Sequence, residues 1–161
     1  MANPFDFSSG AVLTAAQLNQ IGDFESFTPS FQNITLGNGT VQGRFAEVNE
    51  VVFWQVFFDA GSTTSYSSGN LAIDMDASNM PDLDQFSTYS GSGTGWVRPQ
   101  GSTIWFVQNV TVKSSPDLIL PYILVAAGSS GFNNVSSVTN GQPLTWNTSG
   151  LMYLQGWYYS A

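Results

Sequence analysis

From Phe27 onward the sequence consists of short runs of β-branched and aromatic residues separated by glycine, asparagine, serine and proline. Runs of this kind are typical of β-strands, and the residues between them favour turns. The pattern predicts strands at residues 28–36, 41–48, 51–59, 69–75, 95–98, 103–113, 118–126 and 151–159. Many short strands at this spacing indicate an all-β domain, either a sandwich or a barrel.

Turn residues predict two hairpins. Gly37, Asn38 and Gly39 tolerate positive φ angles, as a tight connection between strands requires. Asn49 and Glu50 form a second predicted loop of two residues. Residues 77–95 indicate a long loop instead. Its glycine-rich part, 90–95, is interpreted as flexible because it lacks the following helix and the lysine of a phosphate-binding loop.

Two predicted strands carry apolar residues on both faces. Residues 51–58 (VVFWQVFF) are almost continuously apolar, and residues 104–107 (IWFV) repeat the trait. One face of an antiparallel sheet is normally solvated. The pattern therefore predicts either a central strand beneath a loop or a face that packs against another subunit.

Residues 1–25 are predicted to form an attachment segment, ahead of a β-domain at residues 26–161. Thr14 and Gln17 form a capping box for a short helix over residues 15–21, and Gly22 provides a stop. Two helical turns are unstable alone, so the helix must pack on something. We expect the segment to bind a partner or a neighbouring subunit through Phe5, Phe7, Val12, Leu13, Leu18 and Ile21.

The composition limits the chemistry available to the chain. It contains no histidine and no cysteine, and its only cations are Arg44, Arg98 and Lys113. A serine nucleophile lacks its usual base, and most transition-metal sites lack their ligands. The net charge of −8 opposes nucleic-acid binding, and neither a signal peptide nor a membrane-spanning stretch is readable. We expect a protein that is not an enzyme, needs no cofactor and is made in a cytoplasm.

Four aspartates are the only clustered carboxylates: Asp74, Asp76, Asp82 and Asp84. Calcium requires several oxygen ligands, and glycoside hydrolysis requires two carboxylates held across a sugar. The spacing matches no calcium-binding loop, and no third anchor is identifiable. We interpret them as solvated charges and predict no metal site; calcium binding and catalysis are the alternatives.

Four aromatic residues in or beside predicted loops are candidates for glycan binding: Tyr66, Tyr89, Trp96 and Trp146. Flat rings can stack on the apolar faces of sugars. The alternative is that these rings cap the ends of the core.

Several short motifs in the first third of the chain form a recognisable series. They are FTPSF at 27–31, TLGNGT at 35–40, GRF at 43–45 and VNEVV at 48–52, with a helical lead-in at 7–19 and a closing QGWY at 155–158. The series resembles a module of tailed-phage virion proteins. Asn49 stands where glycine is expected, and Met80 and Pro81 stand where Leu-Pro is common.

The resemblance implies a jelly-roll-like antiparallel β-sandwich, trimeric and without enzymatic activity. We therefore expect a virion structural protein, a tail fibre or knob or a head decoration, whose partners are its own copies and other capsid or tail proteins. The alternatives are a host-receptor module that binds cell-surface glycan and a bacterial lectin-like domain.

Overall fold

A computed structural model of the chain describes residues 22–75, 78, 80–82, 89–99, 104–114, 117–126, 133–137, 139–140 and 143–161. The described residues are mostly antiparallel β-sheet, which confirms the all-β prediction. Several predicted features lie outside them, namely the short helix, Asp76, Asp84 and the attachment residues Phe5, Phe7, Val12, Leu13, Leu18 and Ile21.

Fourteen strands form within the described residues. They are β1 (Glu25–Phe27), β2 (Ser30–Gln32), β3 (Ile34–Thr35), β4 (Thr40–Val48), β5 (Val51–Asp59), β6 (Ser65–Tyr66), β7 (Ala72–Asp74), β8 (Tyr89–Arg98), β9 (Trp105–Ser114), β10 (Asp117–Ala126), β11 (Asn133–Ser137), β12 (Thr139–Asn140), β13 (Pro143–Leu144) and β14 (Leu151–Tyr159). The predictions at 51–59 and 151–159 match β5 and β14 residue for residue.

Ten of these strands make one sheet, in the order β1-β4-β5-β14-β8-β9-β10-β7-β2, with β11 also paired to β10. Every pair in this sheet is antiparallel. β1 and β2 lie at opposite ends of the order, yet only Thr28 and Pro29 separate them in the chain. Since the three steps from Phe27 to Ser30 span at most about 11 Å, the sheet folds back on itself and encloses one of its faces.

The enclosed face carries the hydrophobic core. Successive side chains of a strand alternate between faces, so β5 buries Val52, Trp54, Val56 and Phe58. Phe53 lies on the outer face of the same strand and is 45% exposed. β5 is thus a central strand, as one alternative held, but no loop among the described residues covers Phe53. The other core side chains include Leu71, Ile73, Met75, Val97, Val112, Ile119, Met152, Leu154 and Tyr158.

The predicted loop at Asn49 and Glu50 is confirmed. These residues have φ angles of 49° and 63° and join β4 to β5 in continuous register. Two consecutive residues with positive φ are the geometry of a type I′ turn, whose twist matches that of the flanking strands.

The turn at Gly37 forms, but it does not close a hairpin. Gly37 has a φ of 59°, and the Gly39 amide donates to the Leu36 carbonyl at 3.0 Å. The strands on either side separate, because β3 pairs with β6 whereas β4 pairs with β1 and β5. Asn38 accepts hydrogen bonds from the amide and hydroxyl of Thr63, both at 2.9 Å, which hold the turn against the loop after β5. The hairpin prediction at this position is wrong.

The glycine-rich stretch predicted as a flexible loop is instead part of β8, which lies between β14 and β9. Its alternate residues Gly91, Gly93 and Gly95 face the core. A Cβ atom on Gly93 would lie 2.3 Å from the Gln155 carbonyl oxygen, so only glycine allows β14 to approach this closely. The loop prediction is wrong because these glycines are required by the close approach of β14, a strand that is distant in sequence.

Candidate binding surface

Four aromatic side chains lie opposite one another on the outer face of the sheet. Tyr153 of β14 pairs with Phe57 of β5 and with Trp96 of β8, and Trp96 pairs with Phe106 of β9. Directly opposed residues of antiparallel strands project to the same face. We call these four residues the aromatic row. With about 4.8 Å between strands, it spans roughly 14 Å.

The rings of the aromatic row are accessible, and those of Trp96 and Tyr153 are held by neighbouring side chains. Phe106 is 70% exposed, and the other three side chains are half-buried. The rings of Trp96 and Tyr153 are inclined by only 27°, with centroids 6.3 Å apart. The Tyr153 hydroxyl donates to Gln155 Oε1 at 2.9 Å, which restricts the tyrosine ring. The row therefore presents a preorganised apolar surface.

A second row, of polar side chains, runs beside the first and two residues further along each strand. Gln155 pairs with Gln55 and with Thr94, and Gln55 pairs with Arg44. We call these four residues the polar row; it lies about 7 Å from the aromatic row. Arg44 Nε donates to Gln55 Oε1 at 2.7 Å. Each glutamine oxygen thus already accepts one hydrogen bond, which leaves the two amide N–H donors and one lone pair of each glutamine for a ligand.

A second apolar surface lies on the other side of the polar row. We call it the apolar patch: Phe24, Ala46, Phe53, Trp157 and Tyr159. Phe53 pairs with Ala46 and Trp157, and the Trp157 and Tyr159 rings meet edge to face at 5.3 Å. Its four rings are 38–48% exposed, and three of them, those of Phe24, Phe53 and Trp157, line a groove of about 550 Å³ whose lining also includes Gln55, Thr94 and Gln155 of the polar row.

The four aromatic residues predicted to bind glycan occupy different parts of the fold. Trp146 is only 5% exposed, and Tyr66 packs on it with ring centroids 5.6 Å apart. Both rings contact Phe58 of the core, which is the capping arrangement weighed as the alternative. Tyr89 begins β8, and Trp96 belongs to the aromatic row on the outer face. Only Trp96 therefore joins the candidate surface.

The environment of Tyr66 suppresses its ionisation. Burial raises the pKa of the Tyr66 phenol to about 12, because a phenolate loses more solvation than a neutral phenol. Its hydroxyl donates to the Asn147 carbonyl at 3.2 Å. Tyr66 is therefore a neutral core side chain at physiological pH.

Two of the four clustered aspartates fall within the described residues. Asp74 ends β7, and its carbonyl accepts a hydrogen bond from the Ser78 hydroxyl. The Asp82 carbonyl accepts from the Ala161 amide at 2.9 Å. No group of three His, Cys, Asp or Glu side chains that could hold a metal ion occurs in the described part of the chain.

The sequence interpretation did not single out Tyr153, Phe57 or Phe106 as site residues. One signal was available in residues 151–159, where Tyr153, Gln155, Trp157 and Tyr159 occupy every second position and so share a face of one strand. The order of neighbouring strands, which builds a row across β5, β14, β8 and β9, has no local signal.

Across the ranges that the structure describes, no helix has the length and apolar character needed to span a membrane. Comparison with known proteins finds no matching family model, no matching curated protein and no matching solved structure.

Proposed function

We propose that this protein is a non-enzymatic structural protein of a tailed-phage virion, an appendage such as a tail fibre, tail knob or head decoration. The observation that carries the proposal is the apolar patch. Contiguous exposed apolar surfaces on folded proteins usually mark contact sites. The motifs at residues 27–52 and 155–158, which resemble phage virion modules, provide the biological setting. The protein would be made in the host cytoplasm and end in the particle.

In this proposal the apolar patch packs against another copy of the chain, and the subunits are a trimer of jelly-roll-like sandwiches. Aromatic side chains expose about 200 Å² when free, so four rings at 38–48% exposure present on the order of 350 Å². A stable interface buries about 800 Å² per partner, with an apolar centre and a polar rim. The patch has the size of such a centre.

The distribution of charge favours contact through this face. Arg44 is the only charged residue among the aromatic row, the polar row and the apolar patch. Copies that each carry a net charge of −8 repel one another, so they associate most easily through a surface without carboxylates. The Arg44 guanidinium lies 4.9 Å from the centre of the Phe24 ring, an arrangement found in many interfaces.

Light scattering on the purified protein tests self-association. The wild-type chain of 17.3 kDa should have three times that mass in solution. Trp157→Ala removes the largest ring of the patch and should shift the mass toward the monomer. Trp96→Ala, a matched tryptophan on the same face but outside the patch, should keep the trimer mass. A monomeric wild-type protein would refute the trimer.

A deletion tests the attachment segment. The chain without residues 1–21, which keeps Phe24 of the apolar patch and Glu25 of β1, should fold, with an unchanged β-sheet circular dichroism spectrum, and should be absent from purified phage particles in which the full chain is detected by immunoblot. If the truncated chain still decorates particles, the segment is not the anchor. If the full chain is absent from particles, the virion assignment itself is wrong.

A further inference from the structure

We propose that the aromatic row and the polar row together bind an uncharged polysaccharide. The sugar rings lie on the aromatic row, and their hydroxyl groups accept hydrogen bonds from the polar row. This activity goes beyond the virion proposal and does not depend on it.

The aromatic row provides the apolar half of the site. Trp96 and Tyr153 are central and nearly parallel, and Phe57 and Phe106 extend the row on either side. Sugar rings expose C–H groups on their faces, and flat aromatic rings are suitable apolar partners for them. The row is built on four adjacent strands of one sheet, so little ordering is required when a ligand binds.

The polar row provides the hydrogen bonds. The amide groups of Gln155 and Gln55 use their oxygens to accept from Tyr153 and Arg44. Their N–H groups, with the remaining guanidinium N–H groups of Arg44, are donors that sugar hydroxyl oxygens can accept from. Because the two rows lie about 7 Å apart, a ligand on the aromatic row reaches the polar row with its edge.

The charges favour an uncharged ligand. Arg44 is the one formal charge in the two rows, and it already donates to Gln55. The net charge of −8 repels a polyanion such as a sulfated or uronate-rich glycan. An apolar protein surface laid over both rows would leave the donors of the polar row without acceptors, which is costly. The apolar patch also borders the polar row, but a protein contact centred on the patch can leave these donors at its solvated rim, whereas a ligand rich in hydroxyl groups accepts from them directly.

Calorimetric titration of the full-length protein tests the proposal. The probes are short soluble oligosaccharides of glucose, galactose, mannose and N-acetylglucosamine in α and β linkages, with a sulfated oligosaccharide as the charged comparison. The wild type should bind at least one uncharged probe saturably. Trp96→Ala should weaken that binding at least about tenfold, and Gln155→Ala several-fold. Phe106→Ala, at the most exposed ring of the row, should also weaken it and should leave folding intact, because the side chain is 70% exposed.

The tryptophan of the apolar patch is the matched control. Trp157→Ala should keep the wild-type affinity per subunit while it lowers the mass in light scattering, whereas Trp96→Ala should keep the mass and lose the affinity. This pairing separates a failure of the glycan site from a failure of the trimer. Three results would overturn the proposal: no binding of any uncharged probe to the wild type, affinity unchanged in both Trp96→Ala and Phe106→Ala, or preference for the sulfated probe. A lower mass of Trp96→Ala in light scattering would show that the aromatic row is a subunit contact and would also refute the glycan site.

Discussion

Replacing Gly93 with alanine should destabilise the domain, although the same change in an open strand would stabilise it. Gly→Ala normally contributes about 0.5–1 kcal/mol of stability, because alanine has less freedom in the unfolded chain. In β8 the new Cβ atom would lie 2.3 Å from the Gln155 carbonyl oxygen and 3.1 Å from the Gly156 Cα atom. The sign of the effect therefore depends on whether β14 can move away.

β14 has little freedom to move. To restore ordinary van der Waals contact it would have to shift by roughly 1 Å. It is paired with β5 along its whole length, so a shift would break that second ladder or deform the core. Overpacking at such a site costs about 3 kcal/mol, which leaves a net loss of about 2–2.5 kcal/mol after the unfolded-state gain of about 0.5–1 kcal/mol. In a domain of this size that loss lowers Tm by about 5–10 °C.

Thermal and urea unfolding followed by tryptophan fluorescence would measure the effect, at one protein concentration because self-association would shift Tm. Ser92→Ala is the matched control: the neighbouring residue of β8 faces outward, and its substitution should change stability by less than about 0.5 kcal/mol. A Gly93→Ala protein with an unchanged or higher Tm would refute the close approach of β8 and β14. An equal loss of stability in Ser92→Ala would show that β8 tolerates no substitution. The loss in Gly93→Ala would then no longer be evidence for the close approach of β14.

Two further predictions concern the core end of the fold. The pKa of Tyr66 lies at about 12, above the ordinary value of 10, so between about pH 10 and pH 12 the phenol ionises only in the unfolded chain. Its contribution to stability is intact below pH 10 and is lost as the pH rises to 12, by at most about 2 kcal/mol. Tyr66→Phe should therefore flatten the alkaline decline of the urea midpoint. Tyr159→Phe, at an exposed site, should retain that decline. Thr64 is buried, and its hydroxyl donates to the Leu36 carbonyl at 2.5 Å and accepts from the Gly61 amide at 2.9 Å. Thr64→Val removes both bonds and should lower the free energy of unfolding in urea by about 2 kcal/mol. An unchanged urea midpoint would contradict the role of these bonds.

Much of the strand content could be predicted because its cause is local. β5 and β14 are long apolar and aromatic runs bounded by turn residues, and the sequence predicts their limits to the residue. The loop of Asn49 and Glu50 was also predictable, since two residues with positive φ suffice to return the chain. At Gly37 the same local logic predicted a turn correctly and a hairpin wrongly, because Asn38 is bonded to a loop 25 residues away.

The same distinction between local and distant causes applies to the candidate site. The sequence by itself determined that the described part of the chain is mostly β-strand, that the chain lacks the residues of most active sites, and that aromatic side chains alternate along individual strands. Only the tertiary structure decided that Phe57, Tyr153, Trp96 and Phe106 form one row, that Tyr66 and Trp146 belong to the core, and that the glycines of β8 face a neighbouring backbone. The physical reason is that alternation along a strand is a property of the covalent chain, whereas strand order is decided by which distant segments bury their apolar faces together.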